Sequence, residues 1–258
     1  MNENDKTIIS LGKEALVRKL EEVNAVNKFD TNDKGYGQLF AEIFKNKHRY
    51  NPSRKDFMLY DGKRWIDDLD GLYARASAKR LSDALIQYAV GADTDGKYLK
   101  AVTSLCNIRN RNNMLQDSRD IYFFTNEDLD KGDYILNVQN GTLDLSGHKP
   151  MFIRHTPDML LSKICNVEYD PVAKCLVWEK FLEDTMQGNG GKIQYLQKIA
   201  GLSLTGNTEQ ETCFILYGPS TRNGKSTFAE TLILLLGESA VSMNPDSLAV
   251  KQTLDSRL

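Results

Sequence analysis

The residues best suited to do chemistry are Gly218-Pro219-Ser220-Thr221-Arg222-Asn223-Gly224-Lys225-Ser226-Thr227, a loop that ends in a lysine and two hydroxyls. A nucleoside triphosphate is held by exposed backbone N–H groups, a helix N-terminus aimed at the phosphates and one mobile cation. Lys225 is the candidate cation and the catalytic candidate. Ser226 stands where a hydroxyl ligates Mg²⁺, so the expected ligands are ATP and Mg²⁺. The spacing departs from the usual pattern, because five residues rather than four separate Gly218 from Gly224. Either the loop is one residue longer, or Pro219 takes the place of the first glycine and Gly218 makes the turn.

Such a loop is expected between a strand and a helix. Cys213-Phe214-Ile215-Leu216-Tyr217 is continuously apolar, which predicts a strand buried on both faces of a parallel sheet. Phe228, Leu232, Ile233, Leu235 and Leu236 then recur at helical spacing until Gly237 supplies a stop. A bare glycine turn with an exposed lysine would explain the loop but not these flanks.

The chain of 258 residues is long enough for two domains, each with a core. Its net charge of −2 means that any nucleic-acid surface must be local. Cys106, Cys165, Cys175 and Cys213 are scattered, which suits reduced thiols in a reducing cytoplasm. Cys165, Cys175, His148 and His155 form no Cys-x-x-Cys knuckle and read as isolated residues rather than a zinc site. There is no signal peptide and no apolar run long enough to span a bilayer, so a soluble intracellular protein is expected.

The periodicity predicts an amphipathic helix over 12–29, a linker over 30–37 and a short helix from Leu39. Asp61-Gly62 and Asn140-Gly141 lie between apolar runs and predict two β-hairpins. Helices are expected over 70–91, 97–116, 175–186 and 192–202. Gln187-Gly188-Asn189-Gly190-Gly191 is the preferred boundary and a protease-sensitive hinge. The resulting division is a helical segment 1–49, an α+β domain 50–186 with helices and two β-hairpins, and the start of an α/β domain over 187–258.

A basic stretch of Lys45, Lys47, His48, Arg49, Tyr50, Arg54 and Lys55 is the first candidate for single-stranded DNA contact, with Tyr50 as a stacking face. A solvated helix end and turn would look the same. Arg109, Arg111 and Arg119 are a second candidate. Trp65 and Trp178 read as core anchors, and Asp67, Asp68 and Asp70 as charges at a helix start rather than a metal site. Residues 1–190 present no nucleophile–base pair.

The run Asn137-Val138-Gln139-Asn140-Gly141-Thr142-Leu143-Asp144-Leu145 resembles the Asn-Gly-Thr-Leu-(Asp/Asn)-Leu signature of phage and plasmid primase–helicases, in the domain similar to the N-terminal part of poxvirus primase. The resemblance continues through Tyr60-Asp61-Gly62-Lys63-Arg64-Trp65, His155-Thr156-Pro157, Val167-Glu168-Tyr169-Asp170-Pro171, Trp178, Gly201-Leu202-Ser203-Leu204-Thr205-Gly206 and the loop ending at Thr227. It implies a superfamily 3 helicase, a AAA+-like P-loop ATPase that assembles as a homo-hexamer around single-stranded DNA with other replication proteins. By that resemblance Lys225 contacts the β- and γ-phosphates, Ser226 ligates Mg²⁺, and Asn223, Gly224 and Thr227 shape the cradle.

The family's second acidic motif, polar sensor and arginine finger have no counterpart. Val241-Ser242-Met243-Asn244-Pro245-Asp246 is too short and is broken by Pro245. The upstream primase domain is likewise missing. The expectation is a truncated helicase, inactive alone as an ATPase, with the apolar helix face of Leu232, Leu235 and Leu236 uncovered. Two other readings stand beside it: a non-enzymatic DNA- or partner-binding module with a vestigial motor, and a small-molecule kinase.

Overall fold

The computed structural model describes residues 12–92, 96–209, 211–218 and 221–244. The described chain forms two compact units, residues up to 132 with 152–163, and residues 133–151 with those from 164 onward.

The first unit opens with α1 (Lys13–Glu22) and α2 (Ala25–Lys28). The single helix expected over 12–29 is broken at Asn24, which adopts φ 53 and starts α2 as its cap. The next helix, α3 (Asp33–Phe44), begins inside the stretch expected to be a linker. The Asn32 side chain accepts the Gly35 N–H at 2.9 Å, and Asp33 sits in the first turn. That cap outweighs the two glycines that made 30–37 look structureless.

Strands β1 (His48–Asn51), β2 (Asp56–Tyr60) and β3 (Trp65–Asp67) form an antiparallel sheet in that order. The β2–β3 hairpin is the one expected: Tyr60 pairs with Trp65, and Gly62 takes φ 105 in the turn. Asp61 Oδ1 closes the turn by accepting the N–H groups of Lys63 and Arg64. β1 was not expected; its register, His48 opposite Leu59 and Tyr50 opposite Phe57, places half of the basic stretch in the sheet.

The long helix α4 (Leu72–Ala92) starts on the acidic cluster. The fully buried Asp68 carboxylate accepts the Tyr73 and Ala74 N–H groups, both at 2.8 Å. Burial raises its pKa against those two bonds, but the helix-start role is the one expected. The helix expected over 97–116 is divided into α5 (Lys97–Thr103) and α6 (Ile108–Asp117), with Asn107 capping α6 through the Arg109 N–H. The core of this unit joins Leu16, Leu20, Phe40, Leu81, Leu85, Val102 and Met114. A smaller cluster of Met58, Tyr60, Trp65 and Phe124 lies on the sheet, and Trp65 is the core anchor expected.

The second unit contains the hairpin of β4 (Ile135–Val138) and β5 (Gly141–Asp144). Val138 pairs with Gly141, so the turn residues are Gln139-Asn140, one position earlier than Asn140-Gly141. Asn140 exchanges two hydrogen bonds with Tyr169, its Nδ2 donating to the carbonyl and its Oδ1 accepting from the amide. Helices α7 (Leu176–Thr185), α8 (Gly190–Ser203) and α9 (Lys225–Leu236) complete the unit. Segment 187–191 lies inside this unit, and Asn189 caps α8 by accepting the Lys192 N–H.

Two expectations for this unit are corrected. Residues 213–217 are not a strand: they have no regular secondary structure, with Ile215 and Tyr217 each 86% exposed. A buried parallel strand needs neighbours to take its N–H and C=O groups, and none pairs with it among the described residues. The apolar face of α9 is covered rather than open. Leu236 and Leu235 pack with Leu136, Val138 and Leu143, while Leu232 packs with Leu182, Leu196 and Ile199.

Candidate phosphate-binding site

Helix α9 begins at Lys225 on a glycine, and no side chain caps it. Its first backbone bond runs from Phe228 N–H to Gly224 C=O at 2.9 Å. The N–H groups of Lys225, Ser226 and Thr227 therefore have no acceptor within the helix, and the helix dipole adds positive potential there. Such an end is stable beside an anion and costly beside an apolar group.

Two glycines shape what lies in front of that end. Gly224 has φ +81, and a Cβ there would stand 2.9 Å from Thr185 Cγ2 and 3.1 Å from the Phe181 ring. Both atoms belong to α7, so the loop can press against that helix only with glycine at 224. At Gly218 a Cβ would fall 1.9 Å from Asn223 Nδ2 and 3.4 Å from Lys225 Nζ. Lys225 Nζ donates to Asn223 Oδ1 at 2.6 Å, so residues 218, 223 and 225 converge on one spot. Of the two ways to reconcile the loop's spacing, this geometry favours Gly218 as the residue at the close approach.

The loop opens into a cleft of about 590 Å³ within the second unit. Its other walls are Phe181 and Thr185 from α7 with Met186 just after it, Tyr195 and Ile199 from α8, and the segment 213–218. Trp178 holds this wall against α9, stacking on Phe181 at 5.3 Å and on Phe228 at 5.7 Å. It is the anchor expected. The far end of α9 is fixed as well, since Asn166 donates from its backbone to the Leu235 carbonyl and from its side chain to that of Leu234.

Of the expected site residues, the structure brings Gly218, Asn223, Gly224 and Lys225 to the cleft. Ser226 and Thr227 are exposed in the first turn of α9, and Thr221 and Arg222 are exposed in the loop, Arg222 with φ 60. Pro219, Ser220 and the 245–246 end of the rejected acidic motif lie outside the described residues. Spacing alone did not reveal Phe181, Thr185 and Tyr195, which lie well before the loop in the sequence. The sequence signals near them were the apolar periodicity of α7 and α8 and the family resemblance at Phe181-Leu182 and Tyr195-Leu196-Gln197, neither of which assigned them to the site.

The first basic stretch is largely committed inside its own unit. His48 is buried between Phe40 and Phe44 and does not belong to a surface patch. Lys45 pairs with Glu42 at 2.9 Å. Arg49 pairs with Asp158 at 3.0 Å and lies over the Trp65 ring. Arg54 binds Asp67 and Asn126. Burial lowers the pKa of Lys47. The Tyr50 ring is taken by the Arg119 guanidinium, 4.9 Å from its centroid, and by Phe57. Lys55 is exposed, at φ 59 in the β1–β2 turn.

No curated protein matches the chain. No helix among the described residues is long and apolar enough to cross a membrane. Residues 37–187 match the family described as D5 N terminal like, a segment running from α3 through both hairpins to the end of α7 and including Asn140-Gly141 and Tyr60 to Trp65. That segment is more than half of the sequence, so the chain belongs to the D5 N-terminal-like family and carries the N-terminal region of the phage and plasmid primase-helicase type.

Proposed function

We propose that the chain binds ATP with Mg²⁺ at the Gly218–Thr227 loop and that this binding serves DNA unwinding by a replicative, hexamer-forming helicase. The observation that carries the reading is the convergence of the Lys225 ammonium, the uncapped start of α9, the close approach of Gly218 to Asn223, and position 224, where the backbone conformation and the α7 wall require glycine. In this reading the amide N–H groups of 224–227 donate hydrogen bonds to the phosphate oxygens, and Lys225 leaves Asn223 to neutralise their charge. Thr185 and Phe181 hold Gly224 in place while they do so.

Mg²⁺ fits the site only together with the nucleotide. Ser226 offers one hydroxyl, and among the described residues no cluster of His, Cys, Asp or Glu can hold a metal by itself. Magnesium commonly uses one or two protein oxygens plus phosphates and water, which this arrangement allows. When bound, the ion supplies neutralisation of phosphate charge. The surface around Lys45, Lys47, Arg49, Tyr50, Arg54 and Lys55 contributes to DNA contact in this reading mainly through Lys55, the cation there with the greatest freedom.

A fluorescent ATP analogue titrated into the chain with Mg²⁺ tests the proposal. Lys225→Ala is expected to weaken binding roughly tenfold to a hundredfold, the worth of one charge-assisted contact. The fold should survive, since Lys225 is half-exposed and bonds only to its loop neighbour. Equal affinity in the variant would remove the loop from the account and leave the docking-module reading in its place.

A further inference from the structure

The first unit holds a groove that takes in Arg111 of the second basic candidate, but neither Arg109 nor Arg119. It has a volume of about 240 Å³ between α4 and α6, and its lining includes Arg75, Lys79, Ile108, Arg111 and Asn112. Arg75 and Lys79 stand one helical turn apart, so both project from the same face of α4, about 5–6 Å apart at Cβ. Arg111 and Asn112 come from the N-terminal half of α6, opposite that face.

The charge of this groove is fixed in place and only partly cancelled. Arg111 Nη1 donates to the carbonyls of Leu105 and Cys106, both at 2.7 Å. Those acceptors are neutral, so they orient the guanidinium without discharging it. Among the described residues, neither Lys79 nor Arg111 has a carboxylate at ion-pair distance. Arg75 shares its charge with Asp70 at 2.5 Å, an exposed pair of little net strength. The contrast with the 45–55 stretch is direct, because there Lys45, Arg49 and Arg54 each meet a carboxylate. No aromatic residue lines the groove, so it offers contacts to a backbone rather than to bases.

We propose that the α4–α6 groove binds the phosphodiester backbone of a nucleic-acid strand, independently of its sequence. Arg75 and Lys79 serve successive phosphates, Arg111 anchors one of them, and the Asn112 amide bonds a phosphate or sugar oxygen. Ile108, 65% exposed at the rim, packs on a sugar. The groove is separate from the nucleotide loop, so it stands whether or not that loop binds ATP.

The test is fluorescence anisotropy of a fluorescein-labelled oligothymidylate with the full chain over a range of salt. Lys79 and Arg75 are exposed on α4, so alanine at either leaves the fold intact, which circular dichroism checks. Lys79→Ala is expected to weaken binding about threefold to tenfold at low salt and to reduce the log–log salt slope by about one. Arg75→Ala should add to it, while Lys174→Ala, at an exposed lysine outside both proposed surfaces, should leave binding within twofold. Unchanged affinity and slope in Lys79→Ala would overturn the proposal. So would an equal loss in Lys174→Ala, which would mean diffuse surface charge. Displacement of the oligomer by inorganic phosphate at matched ionic strength would also overturn it, by showing a small-anion pocket instead of a strand groove.

Discussion

Replacing Trp65 with alanine is expected to destabilise the first unit by about 3–5 kcal/mol, the usual range for deleting a fully buried large aromatic. Trp65 is 1% exposed, at the start of β3, and three contacts depend on its ring. Phe124 meets it edge-on at 5.1 Å, Tyr60 packs at 5.6 Å, and the Arg49 guanidinium lies over it at 5.3 Å. Its Nε1 donates to the Pro157 carbonyl at 2.8 Å, and its backbone N–H donates to Leu161 at 2.7 Å. Trp65→Ala therefore leaves a cavity and an unsatisfied carbonyl, and loosens the segment 157–161. Trp65→Phe keeps most of the ring contact and should cost clearly less, with the lost hydrogen bond contributing about 1 kcal/mol. Urea denaturation followed by tryptophan-independent circular dichroism measures both. Equal midpoints for wild type and Trp65→Ala would show that this cluster does not hold the sheet.

Mild acid should weaken the same unit through a single histidine. His48 is buried, its Nε2 lies 2.8 Å from Ser77 Oγ, and its Nδ1 has no hydrogen-bond partner. Burial, helped by the Lys47 charge, lowers its pKa to about 3. An unfolded histidine titrates near 6.5, so the unfolded chain gains a proton first as pH falls. Stability that is complete above about pH 6.5 is then lost progressively down to about pH 3. Between pH 7.5 and pH 5 the loss from this group is about 2 kcal/mol. Depressed carboxylates such as Glu42 and Asp128 act at lower pH, below their unfolded values. Asp68, raised by burial, has the opposite sign, because the folded state takes up its proton first. His48→Gln should flatten the profile between pH 7.5 and pH 5. A wild-type midpoint that does not move over that interval would contradict a neutral, buried His48.

Elements with their own local chemistry were legible in the sequence. The Asp61-Gly62 turn, the acidic start of α4 at Asp68 and the length of α9 up to Gly237 all follow from side-chain or backbone bonds within a few residues. Features decided by distant partners were not. β1 looked like a charged surface because His48, Arg49 and Tyr50 are polar by type. Their burial depends on Phe40, Phe44, Trp65 and Arg119 from other elements. Segment 213–217 was read as a strand from its apolar run and from the loop after it. Strand formation depends on a pairing neighbour, which no local pattern encodes. The site divides in the same way: spacing revealed Gly218, Gly224 and Lys225, whereas the Phe181–Thr185 wall that makes glycine obligatory at 224 is a tertiary contact.

The central claim is that the start of α9 and its loop receive the phosphates of ATP. Amide chemical shifts of the ¹⁵N-labelled chain, recorded while a non-hydrolysable ATP analogue and Mg²⁺ are added, test it residue by residue. The account predicts saturable shifts at Gly224, Lys225, Ser226 and Thr227, with smaller ones at Thr185 and Phe181, and their loss in Lys225→Ala. Shifts confined to residues outside the cleft, or none at these four amides at saturating nucleotide, would contradict it.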